Sequence, residues 1–107
     1  VLQLALSEVL YRLWPDADEG LLSKARARLV STTALAAQAR RLDLGRFLRM
    51  DRGEDSNGGR ERDSILADAF EAVMGAVFLD GGMAAGQGAV ERLFREELIR
   101  LQEEPGE

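Results

Sequence analysis

Two carboxylates stand in an otherwise apolar stretch, SILADAFEAVMGAVFLDGG, which covers residues 64–82. Asp68 and Glu71 are three residues apart, and in a helix this spacing makes their side chains neighbours on one face. Two converging carboxylates repel each other unless a cation lies between them. A hard divalent ion such as Mg²⁺, or Mn²⁺ in its place, suits carboxylate oxygens and keeps several water ligands. The spacing therefore predicts a metal site.

The surroundings of the pair also bear on this interpretation. At 100° per residue, Asp68, Glu71, Ser64 and Gly75 form a narrow polar stripe lined by small residues, including Ala72. The remaining arc is apolar: Ile65, Leu66, Ala69, Phe70, Val73, Met74, Val77 and Phe78. Neither carboxylate has a basic residue four positions later. The alternative is that both acids mark the solvated edge of an ordinary amphipathic helix, and the pattern alone leaves both interpretations open.

Composition limits the chemistry further. The 107 residues contain no cysteine and no histidine, which excludes disulfides, thiol nucleophiles and serine–histidine triads. Hydrophobic residues make up 46% of the chain, enough for one domain with one core. No uncharged apolar run is long enough to cross a bilayer, so we expect no membrane association and a cytoplasmic location. The net charge of −5 is unfavourable for binding nucleic acid, so local arginine clusters matter more.

The elements that would position these residues are all helical. Hydrophobic periodicity predicts helices over 1–14, 21–31, 31–45, 64–79 and 84–102, with a glycine-rich charged loop over 51–63. Pro15 should end the first helix. Asp16 or Asp18 should cap the second helix, and Thr32 or Thr33 the third. Residues 103–107 are predicted to form an acidic tail, and the sequence shows no pattern typical of a β-strand. The sequence predicts an all-α single domain.

These segments resemble one family closely. SILADAFEAVMGAVFLDGG is similar to the second acidic helix of the ribonuclease III catalytic domain. YRLWPDADEGLLSKARARLVSTTALAAQAR resembles that family's preceding helices, and LDLGRFLRMDRGEDSNGGRERDSILAD resembles its glycine-rich approach to the active site. The resemblance runs from Val1 to about Leu101. It implies an all-α, homodimeric endonuclease domain that cleaves double-stranded RNA with Mg²⁺.

The resemblance also implies roles for single residues. Asp68 and Glu71 match the family's metal-binding catalytic acids on this helix. Glu19 matches a turn glutamate that would approach the partner subunit's site. Ser64 matches a serine at the helix start and should act as a cap. Four cations are candidate contacts to the RNA backbone, with a solvated surface as the alternative for each: Lys24, Arg28, Arg60 and Arg62.

The sequence departs from the family pattern at its start. The E-R-L-E-F-L-G-D-A type segment, which carries the family's other two acids, should end immediately before Val1 and is not present. We therefore expect the later two-thirds of a catalytic domain, N-terminally truncated and without the usual double-stranded-RNA-binding domain. Such a fragment should be inactive alone. The alternative is a catalytically inactive helical module for dimerisation or RNA scaffolding. The apolar helix 1–14 favours self-association in either case.

Overall fold

The computed structural model describes residues 1–103, and all regular secondary structure in this part of the chain is helical, without a strand. The all-α prediction is confirmed. Six α-helices are present: α1 Leu2–Leu13, α2 Glu19–Leu29, α3 Thr32–Arg41, α4 Arg52–Ser56, α5 Asp63–Leu93 and α6 Arg95–Glu103. Two 3₁₀ turns, Leu44–Phe47 and Gly59–Glu61, flank α4. Of the predicted acidic tail, Glu103 ends α6, and residues 104–107 lie outside the described residues.

Most helix boundaries follow from local chemistry. The helix α1 ends at Leu13, two residues before Pro15, as predicted. Asp18 caps α2, because its Oδ1 accepts a hydrogen bond from the amide of Gly20 at 2.6 Å. The predicted cap of α3 was wrong. Ser31 is the cap, and its Oγ accepts from the amide of Ala34 at 3.1 Å, so Thr32 and Thr33 are already helical.

The chain divides into two compact units, and the first comprises residues 1–30 and the chain from Met74 onward. Its buried hydrophobic side chains are Leu2, Ala5, Leu6, Val9, Leu10, Leu29, Met74, Val90, Phe94 and Leu98. Here α1 contacts α2, and Arg26 donates a 2.8 Å hydrogen bond to Ser7. Arg12 pairs with Glu91 and with Glu8. The hydrogen bonds to Glu91 and Glu8 raise the pKa of Arg12 above its ordinary value, and the bond to Glu91 has the larger effect.

The helix α5 differs from prediction at its start and agrees with prediction at its kink. It begins at Asp63, so Ser64 is inside the helix, and the expected cap role of Ser64 was wrong. Helix 64–79 was expected to stop at DGG, and this is confirmed: α5 consists of two helical stretches that meet at a kink at Gly82, whose φ and ψ are non-helical. With φ 82° and ψ −179°, Gly82 has a backbone conformation that essentially only glycine adopts. The predicted final helix 84–102 is accordingly divided between the end of α5 and α6.

The second unit comprises residues 31–73 and contains the candidate carboxylates. Its buried side chains come from α3 and the start of α5: Leu35, Ala36, Gln38, Ala39, Leu66, Ala67 and Phe70. The expected loop 51–63 was only partly right, because α4 and a 3₁₀ turn occupy much of it. Asp51 makes this helix possible by capping it, with its Oδ1 accepting from the amide of Glu54 at 2.8 Å.

Among residues 1–103, no helix is both long enough and apolar enough to span a membrane.

Candidate active site

Asp68 and Glu71 both lie on α5 and are both exposed to solvent. Their three-residue spacing makes them neighbours on one helix face. Leu66, Phe70 and Met74, at most 2% exposed, cover the opposite side of the helix. The two acids therefore share one exposed helix face, an arrangement that fits both the metal site and the solvated helix edge that the sequence left open, and the metal-binding role stays a prediction.

The solvent-facing stripe is wider than the sequence predicted. Ala72 is exposed as expected, but Val73, which was placed on the apolar arc, is 39% exposed. An ideal Cβ built on Gly75 meets nothing within 4 Å, so the space at this position of α5 is open. Periodicity orders residues around a helix, but the width of the buried arc depends on how many other elements pack against it.

The two carboxylates have no partner of their own within the described part of the chain. No hydrogen bond or ion pair among residues 1–103 involves either Asp68 or Glu71. Both side chains are exposed, so water is their only neighbour that can donate a hydrogen bond among the described contacts. Their oxygens are therefore free to bind a ligand from solution.

Asp68 and Glu71 offer a metal ion two carboxylates and no further protein ligand within the described residues. Among residues 1–103, no group of three or more histidine, cysteine, aspartate or glutamate residues could hold a metal ion together. Mg²⁺ commonly binds proteins through one or two carboxylates and fills its octahedron with water and substrate phosphate. Asp68 and Glu71 fit that mode as far as two ligands go, and the metal itself stays a prediction.

The segment that precedes α5, residues 43–62, is called the approach segment. Arg60 organises it from within. Its Nη1 donates hydrogen bonds to the carbonyl oxygens of Gly45 at 2.8 Å and Leu48 at 2.6 Å, and its Nε donates to Asp55 at 3.0 Å. Gly45 also lies so close to Arg60 that an added Cβ would be 2.9 Å from the Arg60 carbonyl oxygen. The glycine permits this close approach.

A second arginine fixes the start of α5. Arg40, at the end of α3, donates to the Asp63 carboxylate at 2.7 Å and to the Glu61 carbonyl oxygen at 2.9 Å. The sequence analysis did not identify Arg40 or Asp63. No local pattern could have done so, because the two residues are 23 positions apart and meet only in the fold.

The approach segment also borders a cavity of about 410 Å³ in the second unit. Three arginines line it, with two acids and two residues that form its less polar wall: Arg40, Arg46, Arg60, Asp43, Glu61, Gly45 and Leu66. Arg46 pairs with Asp43 at 3.4 Å and lies over the ring of Phe47, 5.0 Å from its centroid. The guanidinium groups around the cavity are thus already engaged with acids, carbonyls or an aromatic ring.

The remaining predicted residues have different surroundings. Glu19 is the first residue of α2 and is exposed, and Lys24 and Arg28 are exposed on the same helix of the first unit. Arg62 is exposed in the second unit, 3.9 Å from Glu54, and donates to the Asn57 carbonyl oxygen. Arg60 is less accessible, with 31% of its side chain exposed. The roles assigned to these five residues stay predictions.

Comparison with known proteins places this geometry in a family. The family model described as Ribonuclease-III-like matches residues 1–98. Ribonuclease 3 of Caldanaerobacter subterraneus subsp. tengcongensis is 53% identical over 96 residues, which cover 90% of this chain and 42% of that protein. Ribonuclease 3 of Desulforamulus reducens is 60% identical over 83 residues, 78% of this chain and 34% of that protein.

A solved structure gives the same result. The nuclease domain of ribonuclease III from Campylobacter jejuni superposes with a TM-score of 0.85 at 40% identity, covering 89% of this chain and 66% of that one. That structure is described as showing flexibility in a region involved in dimer formation. The chain spans less than half the length of the two curated relatives. From the family match and the shared fold, the chain belongs to the Ribonuclease-III-like family.

Proposed function

We propose that this chain provides part of the catalytic centre of a divalent-metal-dependent endonuclease that hydrolyses phosphodiester bonds in double-stranded RNA. One observation carries the proposal. Asp68 and Glu71 are neighbouring, solvent-facing carboxylates on a helix whose other face is buried, and neither has a partner among residues 1–103. In a chain of the Ribonuclease-III-like family, such a pair is the natural place for Mg²⁺, with Mn²⁺ as a substitute.

The metal ion and the protein would have different roles in hydrolysis of the phosphodiester bond. Bound Mg²⁺ would assist attack by water and offset the charge that develops on the phosphate and the leaving oxygen. The protein's contribution is to hold Asp68 and Glu71 at fixed positions, so that no reorganisation is needed when the substrate arrives. The buried Leu66 and Phe70 on the other side of α5 supply that rigidity.

Double-stranded RNA is read mainly through its shape, its phosphates and its 2′-hydroxyl groups. Lys24, Arg28, Arg60 and Arg62 are our candidates for contacts to the RNA backbone, and Glu19 for an acid that approaches the partner subunit's site. The net charge of −5 means that such contacts supply limited affinity on their own. We place the activity in the cytoplasm, within RNA processing.

The proposed assembly is a homodimer. Two sites in one dimer could each cut one strand of the same duplex. Support comes from α1, where Leu4 and Tyr11 are each 64% exposed, an unusual pair of large hydrophobic side chains for a free surface. The Campylobacter jejuni nuclease domain, which shares this fold, has a region involved in dimer formation.

The two acids on α5 are half of the four that the family resemblance implies. A site with only Asp68 and Glu71 should bind Mg²⁺ weakly and position water poorly, because Mg²⁺ demands near-ideal octahedral geometry. We therefore propose that these 107 residues alone do not cleave double-stranded RNA at a meaningful rate. The alternative function is a catalytically inactive module of the same fold, used for dimerisation or as an RNA scaffold.

A gel assay on a long RNA duplex tests both statements. The chain is compared with a version extended upstream through the acidic segment, and Glu71→Gln and Glu96→Gln are introduced into the extended version. Glu96 is an exposed acid in the first turn of α6, so its variant matches the charge change away from the site. We expect Mg²⁺-dependent cutting by the extended protein and by Glu96→Gln only.

Two results would contradict the proposal. Wild-type cleavage by Glu71→Gln at the same Mg²⁺ concentration would show that the carboxylate pair is not catalytic. Equal cutting by the 107-residue chain and the extended version would show that the upstream acids are not needed. If no version cleaves but all bind the duplex, the inactive-scaffold alternative is favoured.

A further inference from the structure

We propose that Arg60 is a positioning residue, which fixes the approach segment against α5 and thereby holds Asp68 and Glu71 in place, rather than a residue whose main role is to contact RNA phosphates. This inference rests on the proposed function, because it concerns the geometry of the same carboxylate pair. It also replaces the simplest interpretation of the sequence, in which Arg60 was one of four cations available to the substrate.

The guanidinium of Arg60 is already used inside the protein. It donates to two backbone carbonyl oxygens, those of Gly45 and Leu48, and to the carboxylate of Asp55. These acceptors belong to three different parts of the approach segment: the first 3₁₀ turn, the residue after it, and α4. Arg60 itself lies in the second 3₁₀ turn, three residues before α5 begins. One side chain therefore ties together nearly every turn that leads into the helix.

The effect of Arg60 reaches α5 through Gly45. An ideal Cβ on Gly45 would lie 3.5 Å from the Cδ2 of Leu66, so the glycine backbone packs on that leucine. Leu66 is 2% exposed and precedes Asp68 by two residues on the same helix. Arg60 thus contacts Gly45, Gly45 lies beside Leu66, and Leu66 shares α5 with the carboxylate pair, all within the second unit. Displacement of Gly45 would remove one of the surfaces against which α5 is held.

The geometry requires an arginine rather than any cation. A planar guanidinium presents five donors in a rigid fork, whereas a lysine ammonium is a single point of charge on a flexible stem. Lysine at position 60 could not reach Gly45, Leu48 and Asp55 together. For a phosphate contact, in contrast, lysine keeps the charge that supplies most of the affinity. Arg60→Lys therefore separates the two roles without changing the net charge.

The first experiment measures Mn²⁺ binding to the 107-residue chain by the paramagnetic broadening of the amide signals of Asp68 and Glu71. Loss of a residue that orients metal ligands commonly lowers metal affinity by about 10- to 100-fold. We expect Arg60→Lys to weaken binding by about tenfold or more. The control is Arg49→Lys, since Arg49 is exposed in the same segment, and it should bind Mn²⁺ as the wild type does. Equal affinities for wild type and Arg60→Lys would overturn the proposal.

The second experiment does not depend on a metal. Amide hydrogen exchange at Leu66–Glu71 should become faster in Arg60→Lys and stay unchanged in Arg49→Lys, because only the former loosens the contact with Gly45. Unchanged exchange in both variants overturns the positioning role. If the wild type shows no Mn²⁺ broadening at all, the proposed metal site fails, and the exchange data still decide the role of Arg60.

Gly45→Ala provides an independent route to the same prediction if Arg60→Lys does not fold. Its methyl group would lie 2.9 Å from the Arg60 carbonyl oxygen and must displace it. We expect Gly45→Ala to repeat the loss of Mn²⁺ affinity, and the double variant to lose little more than either single one, since both break the same contact. Losses that multiply in the double variant would instead show that Arg60 and Gly45 act separately, and this would contradict the positioning role.

Discussion

The aromatic ring of Phe78 lies directly against the backbone of Gly86. Both residues belong to α5, on opposite sides of the non-helical Gly82. Phe78 and Gly86 are eight residues apart, about 12 Å along an ideal straight helix, so the contact exists only because the chain changes direction between them. Gly86 is buried, and any side chain at this position would occupy the space of the Phe78 ring.

Gly86→Ala should therefore destabilise the chain, since its methyl group overlaps the Phe78 ring. Overpacking of this kind costs about 1–3 kcal/mol. The control is Gly88→Ala, two residues further along the same helix, where the new methyl group would be 3.5 Å from Arg92, an ordinary contact. In a helix interior, Gly88→Ala should raise stability by about 0.5–1 kcal/mol. Urea unfolding measures both changes, and a Gly86→Ala variant as stable as wild type would contradict the contact.

Gly82→Ala tests the backbone itself. An ideal Cβ at this position meets nothing within 4 Å, so steric overlap with the surroundings does not contribute. The cost comes from φ 82° and ψ −179°, a conformation that an L-residue adopts only with strain of about 1–3 kcal/mol. We expect a fall in melting temperature of roughly 4–8 °C for each kcal/mol. No change, or a gain like that of Gly88→Ala, would show that the helix can run straight through position 82.

The sequence predicted the features of the fold that depend on neighbouring residues. The pairing of Asp68 with Glu71 on one face followed from helical periodicity, and the end of α1 followed from Pro15. The predicted stop at DGG was also right, because it depends on the same kind of local signal. Three turn-favouring residues predicted a boundary, and the structure has a kink at Gly82, after which strong helix formers such as Ala84 and Ala85 begin the next helical stretch.

Features that depend on distant residues could not be predicted. The contacts of Arg40 with Asp63 and of Arg60 with Gly45 join positions 23 and 15 residues apart. No spacing rule reports such pairs, so Arg60 was interpreted from its charge alone. The width of the exposed stripe on α5 has the same origin, since the exposure of Val73 depends on which elements cover it.

The exposed face of α1 leads to a prediction about assembly. Leu4 and Tyr11 are each 64% exposed and lie seven residues apart, which places them on the same side of the helix. We expect the 107-residue chain to self-associate at micromolar concentration, and Leu4→Glu combined with Tyr11→Glu to shift it to monomer in light scattering. The control is Ile99→Glu, on an exposed position of α6 that is 46% accessible. A monomeric wild-type chain would contradict this prediction.

The last prediction uses the linkage between metal binding and folding to test whether Asp68 and Glu71 act together. A ligand that binds only the folded state stabilises it by RT ln(1 + [L]/Kd), about 1.4 kcal/mol at ten times Kd. Mn²⁺ at that concentration should raise the melting temperature of the wild-type chain by several degrees. The variant Asp68→Asn with Glu71→Gln should show no such rise. Without metal, the same variant should be at least as stable as wild type, because removing two like charges at this spacing relieves a repulsion of about 0.2–0.5 kcal/mol, and neither acid has a partner among residues 1–103.

The control is Glu96→Gln, which leaves the pair intact and should respond to Mn²⁺ as the wild type does. This combination, a variant that is stable but unresponsive, is expected only if the two carboxylates bind a ligand instead of supporting the fold. An equal Mn²⁺ response in the double variant would mean that the metal binds elsewhere, and a large loss of stability without metal would mean that the carboxylates have a structural role.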